Sequence, residues 1–157
     1  MRRRRAEKRD SNIDPKYNSD VVGRMINIVL IKGKKTVAER IVYGALDILK
    51  EKVPQEDNVL KALAKAIDNV RPRLELKARR VGGATYQIPI DVSPLRGTSL
   101  ALRWIRDFAR NKKGKSMMTK LADELFSAYK SEGPAIKKRD ETHKMADANR
   151  AFSHLRW

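Results

Sequence analysis

The sequence predicts a mainly α-helical protein, a bundle of about six helices with a two-stranded β-hairpin arm protruding between the third and fourth helices. Three observations carry that reading. Apolar residues recur at helical spacing in successive segments bounded by capping residues, prolines and glycines. The stretch RPRLELKARRVGGATYQIPI at residues 71–90 changes instead to a two-residue period, with Gly82 and Gly83 between its two runs. A length of 157 residues with 41% hydrophobic content fits a single domain over 1–157 that buries a real core.

At the start, Arg2, Arg3, Arg4 and Arg5, with Lys8 and Arg9, belong to a basic N-terminal arm, residues 1–18, without apolar periodicity. Such a run is either a binding arm that orders on its partner or a solvated tail. DPKYNS at residues 14–19 reads as a loop ending in a helix cap. Val22, Met25, Ile26, Val29 and Leu30 then follow at helical spacing, giving a first helix that stops near Lys32 and Gly33. Thr36 and Glu39 have the spacing of a capping box, each side chain satisfying a free backbone donor. The second helix should run to about Lys52 and bury Val42, Ala45, Leu46 and Leu49, with Pro54 beyond its end. Asp57 or Asn58 caps a third helix with Leu60, Leu63, Ala64 and Ile67 inward, and Arg71-Pro72 closes it.

In the arm, residues 73–91, Leu74, Leu76 and Ala78 alternate with charged residues, and Ala84, Tyr86, Ile88 and Ile90 alternate with Thr85, Gln87 and Pro89. Pro89 lacks an N–H and belongs on an edge, and no third run extends the sheet. A lone ribbon is marginal in water, so the arm is expected to complete its stability against a partner. Arg71, Arg73, Lys77, Arg79 and Arg80 make that partner a polyanion. Tyr86 either stacks on a base or covers aliphatic stems across the ribbon.

After the arm, Ser93-Pro94 opens a fourth helix with Ala101, Trp104, Ile105 and Phe108 inward and Arg103, Arg106 and Arg110 projecting. A basic turn follows with Lys112, Lys113 and Lys115, and Ser116 caps a fifth helix burying Met118, Leu121, Ala122, Leu125 and Tyr129. Pro134 begins a sixth, more polar helix. Its cations Lys137, Lys138 and Arg139 sit in the opening turn, where the helix dipole opposes positive charge, so an external anion is the expected compensator. Residues 147–157 either continue the helix or form a C-terminal tail.

The formal charge is +17 and the isoelectric point about 10.4, which implies a nucleic-acid partner ahead of an anionic membrane surface. Its distribution sharpens the inference. Residues 36–70 hold five cations and six anions, a net of −1, so the remaining residues carry +18. The chain has no cysteine, which excludes disulfides, thiolate metal sites and cysteine nucleophiles. No apolar segment follows the N-terminal arginines, and no run of about 18 apolar residues exists, so the expectation is a soluble, cytoplasmic protein without a membrane partner.

Enzyme chemistry finds no support. Gly114-Lys115-Ser116 lacks the glycine of a phosphate-binding loop five positions earlier, where Ala109 stands. His143 and His154 have no carboxylate set to complete a metal site, so surface or RNA-contact roles suit them better. The acids Asp123 and Glu124, like Asp140 and Glu141, are adjacent and point apart on a helix, as solvated ion-pair partners would. No cofactor, metal or small-molecule substrate is expected. An architectural DNA-binding protein, with a basic ribbon laid in a groove, is the alternative binding class.

Four stretches carry a family resemblance. They are the RRRRAEKR start, GKKTVAERIVYGAL at 33–46, RPRLELKARRVGGATYQIPIDV at 71–92 and GPAIKKRDETHKMADANRAFSH at 133–154. In these the chain resembles the bacterial-type small-subunit ribosomal protein seven family over almost its entire length. Leu155 departs from the pattern, standing where an aromatic is common before the final Arg-Trp. The resemblance implies a helical bundle with a protruding hairpin and a primary rRNA-binding role on the 3′ major domain of 16S-type rRNA, nucleating assembly of the small-subunit head. It further implies a position near the exit-site tRNA and the mRNA exit channel, and a neighbour in small-subunit ribosomal protein eleven among the head proteins. The positions expected to contact RNA are the six N-terminal cations, Lys34, Lys35, the arm residues with Tyr86, Lys112, Lys113, Lys115, Lys137, Lys138 and Arg139.

Overall fold

A computed structural model of the chain describes residues 13–56 and 58–155. Among these, α1 (Asp20–Val29), α2 (Lys35–Lys52) and α3 (Val59–Val70) precede a hairpin of β1 (Leu74–Val81) and β2 (Ala84–Asp91). Then come α4 (Pro94–Asn111), α5 (Met117–Tyr129), α6 (Pro134–Ala148) and a short 3₁₀ helix (Arg150–Leu155). The predicted architecture is the observed one: a mainly helical bundle, with the antiparallel ribbon between α3 and α4.

The core is built by the apolar stripes of α1 to α5, with Val42, Leu46 and Leu49 of α2, Leu63 of α3, Ile105 of α4 and Leu121 and Leu125 of α5 all buried. α2 and α5 lie against each other, and Gly44 makes the close approach possible, because a Cβ there would collide with the side chain of Met118. On α3 the buried face is Val59, Ala62, Leu63, Ala66, Ile67 and Val70, while Leu60 is half-buried and Ala64 exposed. The inward face is therefore rotated from the expected one, because the small alanines at 62 and 66, not the larger Leu60, occupy the packed seam. On α4 the expected Trp104 and Phe108 flank the buried stripe and are half-buried; Leu102 and Ala109 share its centre.

Helix ends follow the sequence signals in part: Ser19 and Ser93 stand at the N-caps of α1 and α4 without a side-chain capping bond. Asn58 caps α3, its Oδ1 accepting the Leu60 N–H at 2.8 Å, and Ser116 caps α5 by accepting the Thr119 N–H at 3.4 Å. Thr36 and Glu39, however, do not form a capping box. The helix begins two residues earlier, Lys34 is the N-cap, and Glu39 lies 3.7 Å from Lys35 in an i,i+4 ion pair. The Ile31–Lys35 turn is already closed by Lys34 N–H to Ile31 carbonyl and Lys35 N–H to Gly33 carbonyl bonds, which leaves threonine inside the helix.

The hairpin turns on Gly82 and Gly83, both at positive φ (56° and 90°). Its register pairs Leu76 with Pro89, Lys77 with Ile88, Ala78 with Gln87 and Arg79 with Tyr86. Since directly paired residues share a face, the apolar run of each strand lies opposite the polar run of the other. Neither face is a continuous apolar surface. The backing comes from within the chain: α6 packs on β1 and the 3₁₀ helix packs on β2, and Ile88 is fully buried. The expectation that the arm needs an outside partner for stability is thereby corrected at its base.

Candidate nucleic-acid interface

Two guanidiniums that were expected to project from α4 instead close the end of α1. Arg106 Nη1 donates to the Ile28 carbonyl at 3.3 Å and Arg110 Nη2 to the Val29 carbonyl at 3.0 Å. Carbonyls at a helix C-terminus carry partial negative charge and lack intrahelical donors, so cations satisfy them twice over. The last turns of α1 and α4 are thereby joined. The turn that follows α1 carries Lys32, Lys34 and Lys35, and the turn that follows α4 carries Lys112, Lys113 and Lys115.

A second chain of contacts extends the seam. Lys112 Nζ lies 2.6 Å from Glu124 Oε2, and Glu124 Oε1 accepts the Ala135 N–H at 3.3 Å in the first turn of α6. Glu124 is fully buried, so it is not the solvated acid expected from the sequence. Its carboxylate, beside an otherwise free N-terminal donor, supplies the compensation for the α6 dipole that an external anion was expected to give. Further along, Arg139 Nη1 donates to the Asn69 carbonyl near the end of α3, and its Nε bonds Asp140 at 2.8 Å. His143 Nε2 accepts the Arg73 N–H at 3.0 Å, which seats the root of β1 against α6. This ring nitrogen is committed to the backbone, a role that spacing alone could not reveal. Arg71 and Arg73 are thus drawn beside the cations of α6.

The predicted contact residues divide into two groups by their partners. Arg71 pairs with Asp68 at 3.2 Å, Lys77 with Glu75 at 3.8 Å, Lys115 with Asp123 at 3.1 Å, and Lys112 and Lys35 as above. Lys34, Arg73, Arg80, Lys113, Lys137 and Lys138 make no ion pair among the described residues. Arg79 donates from Nη1 to the Leu155 carbonyl, and the ring of Tyr86 rests on Phe152 with centroids 5.1 Å apart at 52°. Tyr86 therefore has an aromatic partner in its own chain, which the sequence did not point to. Arg2, Arg3, Arg4, Arg5, Lys8 and Arg9 lie outside the described residues.

Four further residues shape this surface, three of them without a signal of their own in the sequence. Arg96 grips Glu75 with Nε–oxygen distances of 2.9 and 2.7 Å and so holds most of that carboxylate's capacity beside Lys77. Lys144 and Arg150 add exposed cations; Lys144 follows Lys137 by two helical turns and could have been read from that spacing. Asp14 closes the loop that leads into α1, its N–H donating to the Ser19 carbonyl at 3.3 Å. It is buried, accepting the Tyr17 N–H at 2.8 Å and the Tyr43 O–H at 2.6 Å. The Asp14 hydrogen bond, with burial adding to it, pushes the Tyr43 phenol up to about 12. Lys52, through a hydrogen bond to the same carboxylate that Lys115 touches, holds Asp123 below the usual carboxylate range against the opposing effect of burial.

No group of three or more His, Cys, Asp or Glu that could hold a metal occurs among the described residues. Among the same residues no helix is long and apolar enough to cross a membrane. What the surface offers is fixed positive charge on rigid turns and a ribbon, an arrangement able to hold phosphates.

Comparison with known proteins agrees in extent as well as kind. A family model described as ribosomal protein S7p/S5e matches residues 1–150. A small ribosomal subunit protein uS7 of Thermotoga neapolitana is 55% identical over 157 residues, covering 100% of both chains. Proteins of the same name from Chelativorans sp. and Methylococcus capsulatus are 53% and 51% identical over 156 residues, each covering 99% of both chains.

Proposed function

The chain belongs to the ribosomal protein S7p/S5e family, and from that premise we propose that it binds ribosomal RNA through the basic seam and the hairpin arm. It is a structural component of the small ribosomal subunit and not an enzyme. The finer reading is a primary binder of the 3′ major domain of 16S-type rRNA that nucleates assembly of the head. In the assembled subunit it would lie near the exit-site tRNA and the mRNA exit channel, with small-subunit ribosomal protein eleven as a neighbour.

The observation that carries the RNA reading is a set of cations, Lys34, Arg73, Arg80, Lys113, Lys137 and Lys138, that make no ion pair among the described residues and stand on elements tied to a packed bundle. Fixed cations placed this way contact phosphates and release counterions, giving affinity and register. Discrimination then comes from the shape of a folded RNA, because the deep, narrow A-form groove hides base edges from side chains.

The test is binding of the full chain to a transcript of the 3′ major domain across a salt series, with duplex DNA as competitor. Substituting Arg80, Lys113 and Lys137 by alanine together should reduce the slope of log affinity against log salt by roughly three, about one per lost phosphate contact. A slope that stays at the parent value, or equal competition by duplex DNA, defeats the reading.

A further inference from the structure

Between the end of α1 and the start of α2 lies a groove of about 310 Å³ whose floor is Val29, Val37, Ala38 and Ile41. Ile31 forms its wall, and Lys32 and Lys34 stand on its rim. Ile31 is 55% and Val37 48% exposed, two of the most exposed large apolar side chains among the described residues. Such a patch needs a reason on a chain so rich in charge.

The turn that frames the groove is rigid. Lys32 and Gly33 both take positive φ (52° and 74°), and the Ile31–Lys35 bonds described above close it. The α1 carbonyls at this end, which would repel an anion, are covered by Arg106 and Arg110. No acidic side chain lines the groove. An occupant must therefore present a flat apolar face and negative charge on both sides of it, and its size must suit the low end of small-ligand sites, roughly 300 Å³ and upward.

We propose that this groove receives one unpaired nucleotide of the RNA, its base laid on the aliphatic floor and its flanking phosphates drawn to Lys32 and Lys34. The inference rests on the RNA reading above and adds to it a base-contact site built from aliphatic residues. Unstacked bases of loops and junctions are the elements that proteins take up individually. A peptide from another protein would need carboxylates beside its apolar residues to satisfy the same rim.

The experiment uses the full chain with labelled isoleucine and valine methyl groups, titrated with a transcript of the 3′ major domain and, separately, with heparin, a polyanion without bases. With the transcript, the methyl resonances of Ile31, Val37 and Ile41 should move upfield, as groups under an aromatic ring do; heparin should leave them in place. Ile31→Ser and Val37→Ser, both at exposed positions, should together weaken transcript binding about tenfold with the salt slope unchanged and the circular dichroism intact. Methyl groups that stay put while the transcript binds with its normal salt slope remove the base site and leave the RNA reading standing. Loss of transcript binding altogether removes that reading and this inference with it. Methyl shifts that arise only on adding small-subunit proteins assign the groove to a protein partner and overturn the proposal.

Discussion

Lys112 Nζ stands 2.6 Å from Oε2 of Glu124, an acid with no exposed surface, and the pair bridges the α4–α5 turn to the first turn of α6. Lys112 is itself about one-third exposed, so the pair is half wet on one side and dry on the other. Removing either partner from such a pair strands the other, which costs more than the pair contributes. Lys112→Ala should therefore destabilise the protein by about 3 kcal/mol in urea unfolding, because the Glu124 carboxylate is left buried and unpaired. The double variant Lys112→Ala with Glu124→Leu should recover most of that loss. A single-variant cost below about 1 kcal/mol, the range of a surface pair, would show that water reaches Glu124.

Asp123 sits between Lys52 and Lys115 and titrates below its ordinary value of 3.8, chiefly through the Lys52 hydrogen bond. A carboxyl whose pKa is depressed on folding stabilises the protein above its unfolded pKa, and the contribution is lost as pH falls through the folded value. Asp123→Asn should accordingly be less stable than the parent at neutral pH, with the difference closing under acid conditions below the ordinary carboxylate range. Chemical denaturation in a pH series measures this. A difference of constant size throughout would mean that shape, not charge, sets the role of Asp123.

The helical parts of this fold were legible because apolar spacing and caps agree, as at Asn58 and Ser116, where the expected side chains make the expected bonds. What spacing cannot convey is the use to which a polar residue is put. Arg106 and Arg110 look like surface cations in sequence, yet the partners that claim them are backbone carbonyls of a helix about 80 residues away. Part of the role of His143 and of Glu124 was hidden for the same reason, since Arg73 N–H and Ala135 N–H are main-chain atoms with no residue signature. The ribbon's register was likewise hidden. Period-two patterning gives the faces of each strand separately, and only the turn fixes which face of one meets which face of the other.

Tyr43 offers a test at the other end of the pH scale. Its hydroxyl donates to buried Asp14 at 2.6 Å, and the loss of that hydrogen bond on ionisation, with burial adding to it, raises its pKa from 10.0 to about 12. A raised folded-state value means the stabilisation is intact below about pH 10 and lost as pH climbs toward the folded pKa. In a phenolate absorbance titration Tyr43 should ionise last, burial raising Tyr17 as well, and Tyr43→Phe should remove the latest part of the rise. Complete ionisation of the parent's tyrosines near pH 10 would contradict the bond.

The arm makes the last prediction. Phe152 of the 3₁₀ helix packs on Tyr86 of β2, and on the same face Arg79, the cross-strand partner of Tyr86, donates to the Leu155 carbonyl. A two-stranded ribbon with mixed faces cannot hold itself together, so this contact is what continues the backing beyond Ile88 toward the glycine turn. Phe152→Ala should remove an aromatic pair contribution of about 1 kcal/mol along with its buried area. Because the core helices do not touch that ring, the loss should fall on local opening of the arm and leave the bundle unaffected. Amide hydrogen exchange should accelerate at Arg79, Tyr86 and their neighbours, while exchange in α2 and α5 stays at the parent rate. Uniform acceleration throughout would show that the arm and the bundle open together, and unchanged exchange in β2 would show that the 3₁₀ helix does not brace it.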